Sequence, residues 1–158
     1  MNPFKKAILK CAAVMVFGSA AAGAWAADTA ATADVAALQG VAQSWVTAYN
    51  GGDADAVTAL YADDATLMPP NVQGAIGKAA IHNFFVTDIG ESQHAGYKFS
   101  IAGMSNGGVA GDWGWLSGTY TVADKTGNAV DSGKFLAIYK KVEGKWVFLR
   151  DTWNSDKK

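Results

Sequence analysis

The sequence predicts an α+β fold, and two patterns predict that class. In the first half, apolar residues recur at three- and four-residue spacing, as on one side of a helix. In the second half the period shortens and β-branched and aromatic residues dominate, as in strands. Helices gathered ahead of a run of strands, rather than alternating with them, pack on one side of an antiparallel sheet.

The elements follow in order. From Asp34, the residues Val35, Leu38, Ala42, Trp45 and Tyr49 form a helical stripe, and Asn50-Gly51-Gly52 ends it. Asp53 is placed to cap a short second helix carrying Val57, Leu60 and Tyr61 on one side. Asp63-Asp64 reads as a polar turn, and Ala65 to Met68 as a brief strand halted by Pro69-Pro70. Gly74 to Gly77 is a loop. Lys78 to Asp88 is a third helix with Ile81, Phe84, Phe85 and Asp88 along one stripe. Strands are expected at Tyr97 to Ile101, Val109 to Val122, Lys134 to Val142 and Lys145 to Trp153. Their turns are expected at Asn106-Gly107-Gly108, Asp124 to Asn128 and Glu143-Gly144.

The amino-terminal residues predict export. Lys5, Lys6 and Lys10 precede an apolar run from Cys11 to Ala22, and Ala24-Trp25-Ala26 offers a small-x-small cleavage pattern. The run is shorter than the about 20 residues of a membrane span. We therefore expect a signal peptide over 1–26, a flexible Ala/Thr-rich leader over 27–33, and one domain over 34–156, periplasmic or secreted. Cleavage removes three of the thirteen basic residues and no acidic one, leaving ten against fourteen, a net charge of −4. This mildly acidic balance, without a basic cluster, argues against nucleic acid and against stable association with an anionic membrane. Cys11 is the only cysteine, so the mature domain has no disulfide, thiol nucleophile or thiolate metal site.

Specific residues resemble a known superfamily. Tyr49-Asn50-Gly51-Gly52-Asp53-Ala54-Asp55-Ala56 followed by Leu60-Tyr61-Ala62-Asp63-Asp64-Ala65 is similar to the front of nuclear transport factor 2-like and SnoaL-like proteins. Pro69-Pro70, Gly74, Gly77-Lys78-Ala79-Ala80-Ile81 and Phe84-Phe85 continue the likeness. Asp131 to Phe135, Gly144-Lys145-Trp146 and Arg150 to Asp156 resemble the branch called domain of unknown function 4440. The resemblance implies a cone: a strongly curved, mostly antiparallel sheet wrapped around a long first helix, with an apolar cavity. It also implies a homodimer through the sheet. Relatives include ketosteroid isomerase, whose catalytic groups are not matched here. Pro69 stands where its carboxylate base would be, Trp45 where its helix tyrosine would be, and the position of its late aspartate falls near Leu136.

Candidate chemistry is sparse. His82 and His94 are the only histidines, and no set of converging metal ligands can be assembled, so neither metal nor cofactor is expected. In the last strand, Val147, Leu149, Asp151 and Trp153 share one face and Trp146, Phe148 and Arg150 the other. A carboxylate in line with aliphatics needs a partner or a raised pKa. Asp151 is therefore either a polar group at the pocket rim or the partner of a strand neighbour such as Lys134. The ligand-binding candidates are Trp45, Tyr49, Met68, Phe85, Trp115, Asp151 and Asn154, and Asp151 and His82 are the acid–base candidates. Three functions remain open: a domain binding a small apolar or amphipathic molecule, a cyclase-, isomerase- or dehydratase-type enzyme, and a ligandless homodimeric assembly domain.

Overall fold

The computed structural model describes residues 20–157. Helix α1 (Ala20–Gly51) is followed by α2 (Ala54–Ala59), β1 (Tyr61–Met68), β2 (Ala75–Ile76) and α3 (Lys78–Ala95). Four long strands complete the chain: β3 (Lys98–Ala110), β4 (Trp113–Ala123), β5 (Ala129–Val142) and β6 (Lys145–Ser155). They form one six-stranded sheet in the order β2-β1-β6-β5-β4-β3. Only the β1·β6 pair is parallel; the other pairs are antiparallel. The α+β class and the four-strand meander are as expected.

The first helix lays its stripe on the sheet: Leu38, Ala42 and Tyr49 are buried, with Val41, Trp45 and Ala48 packed beside them. Its end is pinned by Asn50, which donates from Nδ2 to the Phe99 carbonyl (2.7 Å) and accepts from the Phe99 N–H (2.9 Å). Farther back, Asp34 accepts from Lys141 Nζ (2.9 Å) and Trp146 Nε1 (3.0 Å), tying α1 to β5 and β6. Residues 27–33, expected to be a flexible leader, are helical and continuous with α1. Alanine, the strongest helix former, fills much of that stretch. The expected signal peptide lies outside the described residues over 1–19.

Several boundaries differ from the sequence expectation, each for a local reason. The Asp53 carboxylate caps α2 as expected, accepting from Ala56 N–H at 2.8 Å. Asp63 and Asp64, however, lie within β1, at an irregular stretch of its pairing with β6. Asp63 there meets Lys78 (3.2 Å) and Asp64 meets Lys140 (2.7 Å). Helix α3 runs on to Ala95 and stops at Gly96, whose φ of 71° gives the left-handed cap. His94 thus sits in the last helical turn rather than in a loop.

The expected turn at Asn106-Gly107-Gly108 is the interior of β3; the chain reverses at Gly111-Asp112 instead. These glycines serve close packing. A Cβ on Gly108 would meet the Trp115 ring at 2.0 Å, and one on Gly107 would meet Leu116 at 2.5 Å.

Candidate functional site

A cavity of about 50 Å³ lies between α1 and the concave face of the sheet. Helix α1 contributes Ala42 and Trp45, β3 contributes Phe99 and Ile101, and β4 contributes Tyr120. Strand β5 adds Phe135 and Tyr139; β6 adds Phe148, Asp151 and Trp153. The size is well below the roughly 300–1,000 Å³ of sites for larger small molecules.

A β-bulge decides which side chains of β6 reach this cavity. Tyr139 pairs with Phe148, yet its neighbour Ile138 pairs with Arg150, so Leu149 is an extra residue on β6. Simple alternation would put Phe148 and Asp151 on opposite faces. The inserted residue shifts the phase by one, and Phe148, Asp151 and Trp153 all line the cavity. The expected grouping of Asp151 with Val147 and Leu149 is corrected accordingly.

Two of the cavity walls are cross-strand pairs of glycine with an aromatic ring. Gly118 pairs with Phe135 and Gly133 with Tyr120. A Cβ on Gly118 would approach the Phe135 ring to 2.8 Å, and one on Gly133 the Tyr120 ring to 2.7 Å. The rings lie over the bare backbone opposite, as aromatic residues do when they cover a strand glycine.

Asp151 is the polar centre. It is 8% exposed, within the cavity lining rather than at a solvated rim. Its carboxylate Oδ2 accepts from the Tyr61 hydroxyl at 2.6 Å, and the Tyr61 oxygen accepts from Trp45 Nε1 at 3.1 Å. A relay from α1 through β1 to β6 results. Burial pushes the Asp151 carboxyl up to about 6, opposed by the hydrogen bonds from Tyr61 and from the Thr152 backbone. Burial and the charge of Asp151 raise the Tyr61 phenol well above its usual value. Tyr139 is fully buried, and its hydroxyl is the one buried side-chain polar atom without a hydrogen-bond partner among the described residues. Burial, then the nearby Asp151 charge, raises that phenol as well.

Of the residues anticipated from sequence, Trp45 and Asp151 come together in the cavity. Tyr49 stacks on Trp45 with ring centroids 4.9 Å apart and donates to Asp88 Oδ2 at 2.7 Å, one layer behind the lining. Phe85 is core, edge-on to Trp45 at 5.8 Å. Met68, Trp115 and Asn154 are corrections. Met68 pairs with Thr152 on β6, so it falls on the opposite face from Asp151 and is 40% exposed. Trp115 (43% exposed) and Asn154 line separate surface grooves. His82 also lies away from the cavity: its Nε2 meets the exposed Asp55 Oδ1 at 2.9 Å, between α3 and α2. Lys134 pairs with Asp156, not Asp151.

Sequence reasoning missed Tyr61 and Tyr139. Tyr61 looks like the last apolar residue of α2, and nothing local ties it to Asp151. Tyr139 carried a signal: it shares its strand phase with Phe135 and Ala137, and a tyrosine on a core-facing phase brings a hydroxyl that needs a partner. Among the described residues no three His, Cys, Asp or Glu side chains are placed to hold a metal, and no helix is long and apolar enough to cross a membrane.

Known structures share this architecture. A ketosteroid isomerase-like protein from Erwinia carotovora atroseptica is 22% identical, with a TM-score of 0.62 over 79% of this chain and 98% of that one. An NTF2-like protein with a cystatin-like fold from Novosphingobium aromaticivorans gives a TM-score of 0.75 at 14% identity, covering 89% and 92%. An NTF2-like protein of unknown function from Pseudomonas putida gives 0.70 at 18% identity, covering 78% and 87%. At these identities the likeness establishes the NTF2-like fold and not an activity. No curated protein matches the chain. The SnoaL-like domain model matches residues 42–149, which includes α2, β1 and α3, the whole of β3 to β5 and the helix face bearing Trp45. The chain belongs to the SnoaL-like domain family.

Proposed function

We propose that this chain is an exported small-ligand-binding domain. Its ligand is a small amphipathic molecule with an apolar body against the aromatic walls and one polar group directed at Asp151 and Tyr139. The observation that carries this reading is the Tyr139 hydroxyl, buried and unpartnered in the cavity that also holds Asp151. A buried polar atom without a partner costs about 1–3 kcal/mol. A ligand or a water that hydrogen-bonds to it recovers that cost. A ligandless assembly domain has no need to keep such a hydroxyl beside a buried carboxylate. Placement in the domain of unknown function 4440 branch rests on the sequence resemblance alone. Native mass spectrometry of the protein purified from periplasm, followed by chemical-shift mapping with whatever is released, tests the binding reading. A ligand-free protein whose Trp45, Tyr139 and Asp151 resonances respond to no small amphipathic molecule overturns it.

A second reading is favoured by one specific observation. A carboxyl titrating near 6 inside a cavity exists in both protonation states near neutral pH, as an acid–base catalyst requires. The reaction class would be proton transfer at carbon, with Asp151 as the base and Tyr139 as a hydrogen-bond donor to the developing oxyanion. Deuterium exchange α to the carbonyl of small ketones, lost in Asp151→Asn, would carry this reading. Ligand binding without exchange leaves the binding domain alone.

A further inference from the structure

We infer that the cavity selects small organic cations, namely protonated amines bearing a few methyl groups, over neutral and anionic molecules of the same shape. The inference rests on the proposed ligand cavity and names the chemical class that it takes.

Among the described residues Asp151 is the only charged one lining the cavity; no described lysine, arginine or histidine lines it. The Tyr61 hydroxyl and the Thr152 backbone, which hydrogen-bond to it, are both neutral. Ionised Asp151 is therefore a buried charge without a counterion, and a buried charge is stable only when paired. A cationic ligand supplies the missing partner. An anion would set like charges together in a medium of low dielectric.

The walls point the same way. Seven of the ten described lining residues are aromatic, among them Trp45, Phe99, Tyr120 and Trp153. Ring faces carry partial negative charge and attract ammonium groups, most strongly when the cation is desolvated. The buried Tyr139 oxygen is free to accept a hydrogen bond. An ammonium N–H donates one, whereas a carboxylate donates none. Beside the cavity, the Tyr120 hydroxyl donates to Asp131 at 3.4 Å, placing a second carboxylate behind a wall residue. Lys134, next to the wall residue Phe135, is engaged by Asp156. The cavity of about 50 Å³ limits the guest to a few heavy atoms.

The pH response follows from the groups that face Asp151. Tyr61 from β1, Tyr139 from β5 and Tyr120 from β4 are phenols raised above their usual value, so all three stay neutral well past pH 8. Trp45 from α1 and Phe99 and Ile101 from β3 do not titrate. Asp151 alone changes charge, and affinity for a cation rises as it ionises.

The purified protein is titrated with trimethylammonium, tert-butanol and pivalate, three branched molecules whose methyl-bearing ends are alike and whose charges differ. Binding is followed by tryptophan fluorescence and by amide chemical shifts, near pH 7.5 and near pH 5. We expect trimethylammonium to bind at the higher pH about tenfold or more tighter than tert-butanol, and pivalate not to bind. The preference for the cation falls at the lower pH and disappears in Asp151→Asn. Tyr139→Phe, which keeps the ring, weakens cation binding several-fold. Binding of tert-butanol as tight as that of trimethylammonium at both pH values overturns cation selection while leaving the ligand cavity standing. Tighter binding of pivalate does the same. No response to any of the three overturns cation selection and the ligand cavity together.

Discussion

The Tyr61 hydroxyl donates a 2.6 Å hydrogen bond to Asp151 Oδ2, joining two buried residues 90 positions apart in the chain. It links the first residue of β1 to the parallel strand β6, where Leu67 is the register partner of Asp151. Tyr61→Phe keeps the ring stack on Phe148, at 4.9 Å between centroids, and removes only the donor. We expect the Asp151 pKa to rise further, because the lost bond favoured the charged form. Stability should fall by about 1.5–3 kcal/mol near neutral pH, the range for a hydrogen bond to a charged group. Carboxyl-carbon NMR titration and urea denaturation check both; a lowered Asp151 pKa would contradict the assignment.

The pH dependence of stability has a definite sign. Asp151 titrates near 6 in the folded state against an ordinary value of 3.8. Between these values the folded chain holds a proton that the unfolded chain has released, so stability falls as pH rises through the window and levels off above it. Burial raises Asp88 too, adding in the same sense. The Asp151 contribution is bounded at about 3 kcal/mol, from about 1.4 kcal/mol per pKa unit. Asp34, Asp64 and Asp124 are held below the ordinary value by hydrogen bonds to Lys141, Lys140 and Thr126, and their stabilisation is lost on the acid side instead. Urea midpoints measured from about pH 4 to 7.5 should decline in the native protein, and the decline should shrink in Asp151→Asn. An undiminished decline in the variant would place the titrating group elsewhere.

Glycines at the cavity wall and on the helix should respond oppositely to alanine. Gly118→Ala and Gly133→Ala force a methyl to within 2.1 Å of the carbonyl oxygens of Gly103 and Asn154 respectively. We expect losses of about 1–3 kcal/mol or more from overpacking. Gly40, within α1, has nothing within 4 Å of an added Cβ. Gly40→Ala should stabilise by about 0.5–1 kcal/mol through helix propensity. Thermal denaturation of the three variants decides, and equal tolerance at all three would refute the packing account.

The convex face of the sheet is expected to pair with a second copy of the chain. Met68, Thr152, Leu136 and Ser117 follow one another in register across it, with Trp115 and Ile138 in the adjacent row. Met68, Trp115 and Leu136 are each at least 40% exposed, an apolar surface that monomers seldom leave to water. Analytical ultracentrifugation at about tens of micromolar should give a dimer, and Leu136→Glu a monomer. A monomeric native protein would remove the homodimer.

Export is checked at the amino terminus. Signal peptidase should cut after Ala26, so the secreted form should begin Ala27-Asp28-Thr29. A full-length membrane-bound product would count against it.

Much of the fold was legible because its signals are local. The Leu38, Ala42 and Tyr49 stripe, the Asp53 cap and the Glu143-Gly144 turn each depend on residues a few positions apart. The site was half legible. Trp45 and Asp151 stand out as polar-bearing residues in apolar patterns. Tyr61 does not, because its role is set by β6, a strand that pairs with β1 only in the folded chain. The glycines misread as a turn fail for the same reason: Gly107 and Gly108 answer to Leu116 and Trp115 across the sheet. Non-local packing overrides the usual meaning of a local residue.

The extra residue at Leu149 sets the frame in which β6 is read. Upstream of it even-numbered residues, such as Trp146 and Phe148, point to the core; downstream odd-numbered ones, Asp151 and Trp153, do. Were β6 to pair without the bulge, with Leu149 kept in the ladder, regular alternation would turn the carboxylate to the convex face and bring Arg150 toward the cavity, with no change in composition at all. The polarity of the cavity is thus governed by a parity: one extra residue in the ladder decides whether the carboxylate of Asp151 or the guanidinium of Arg150 takes the inward phase.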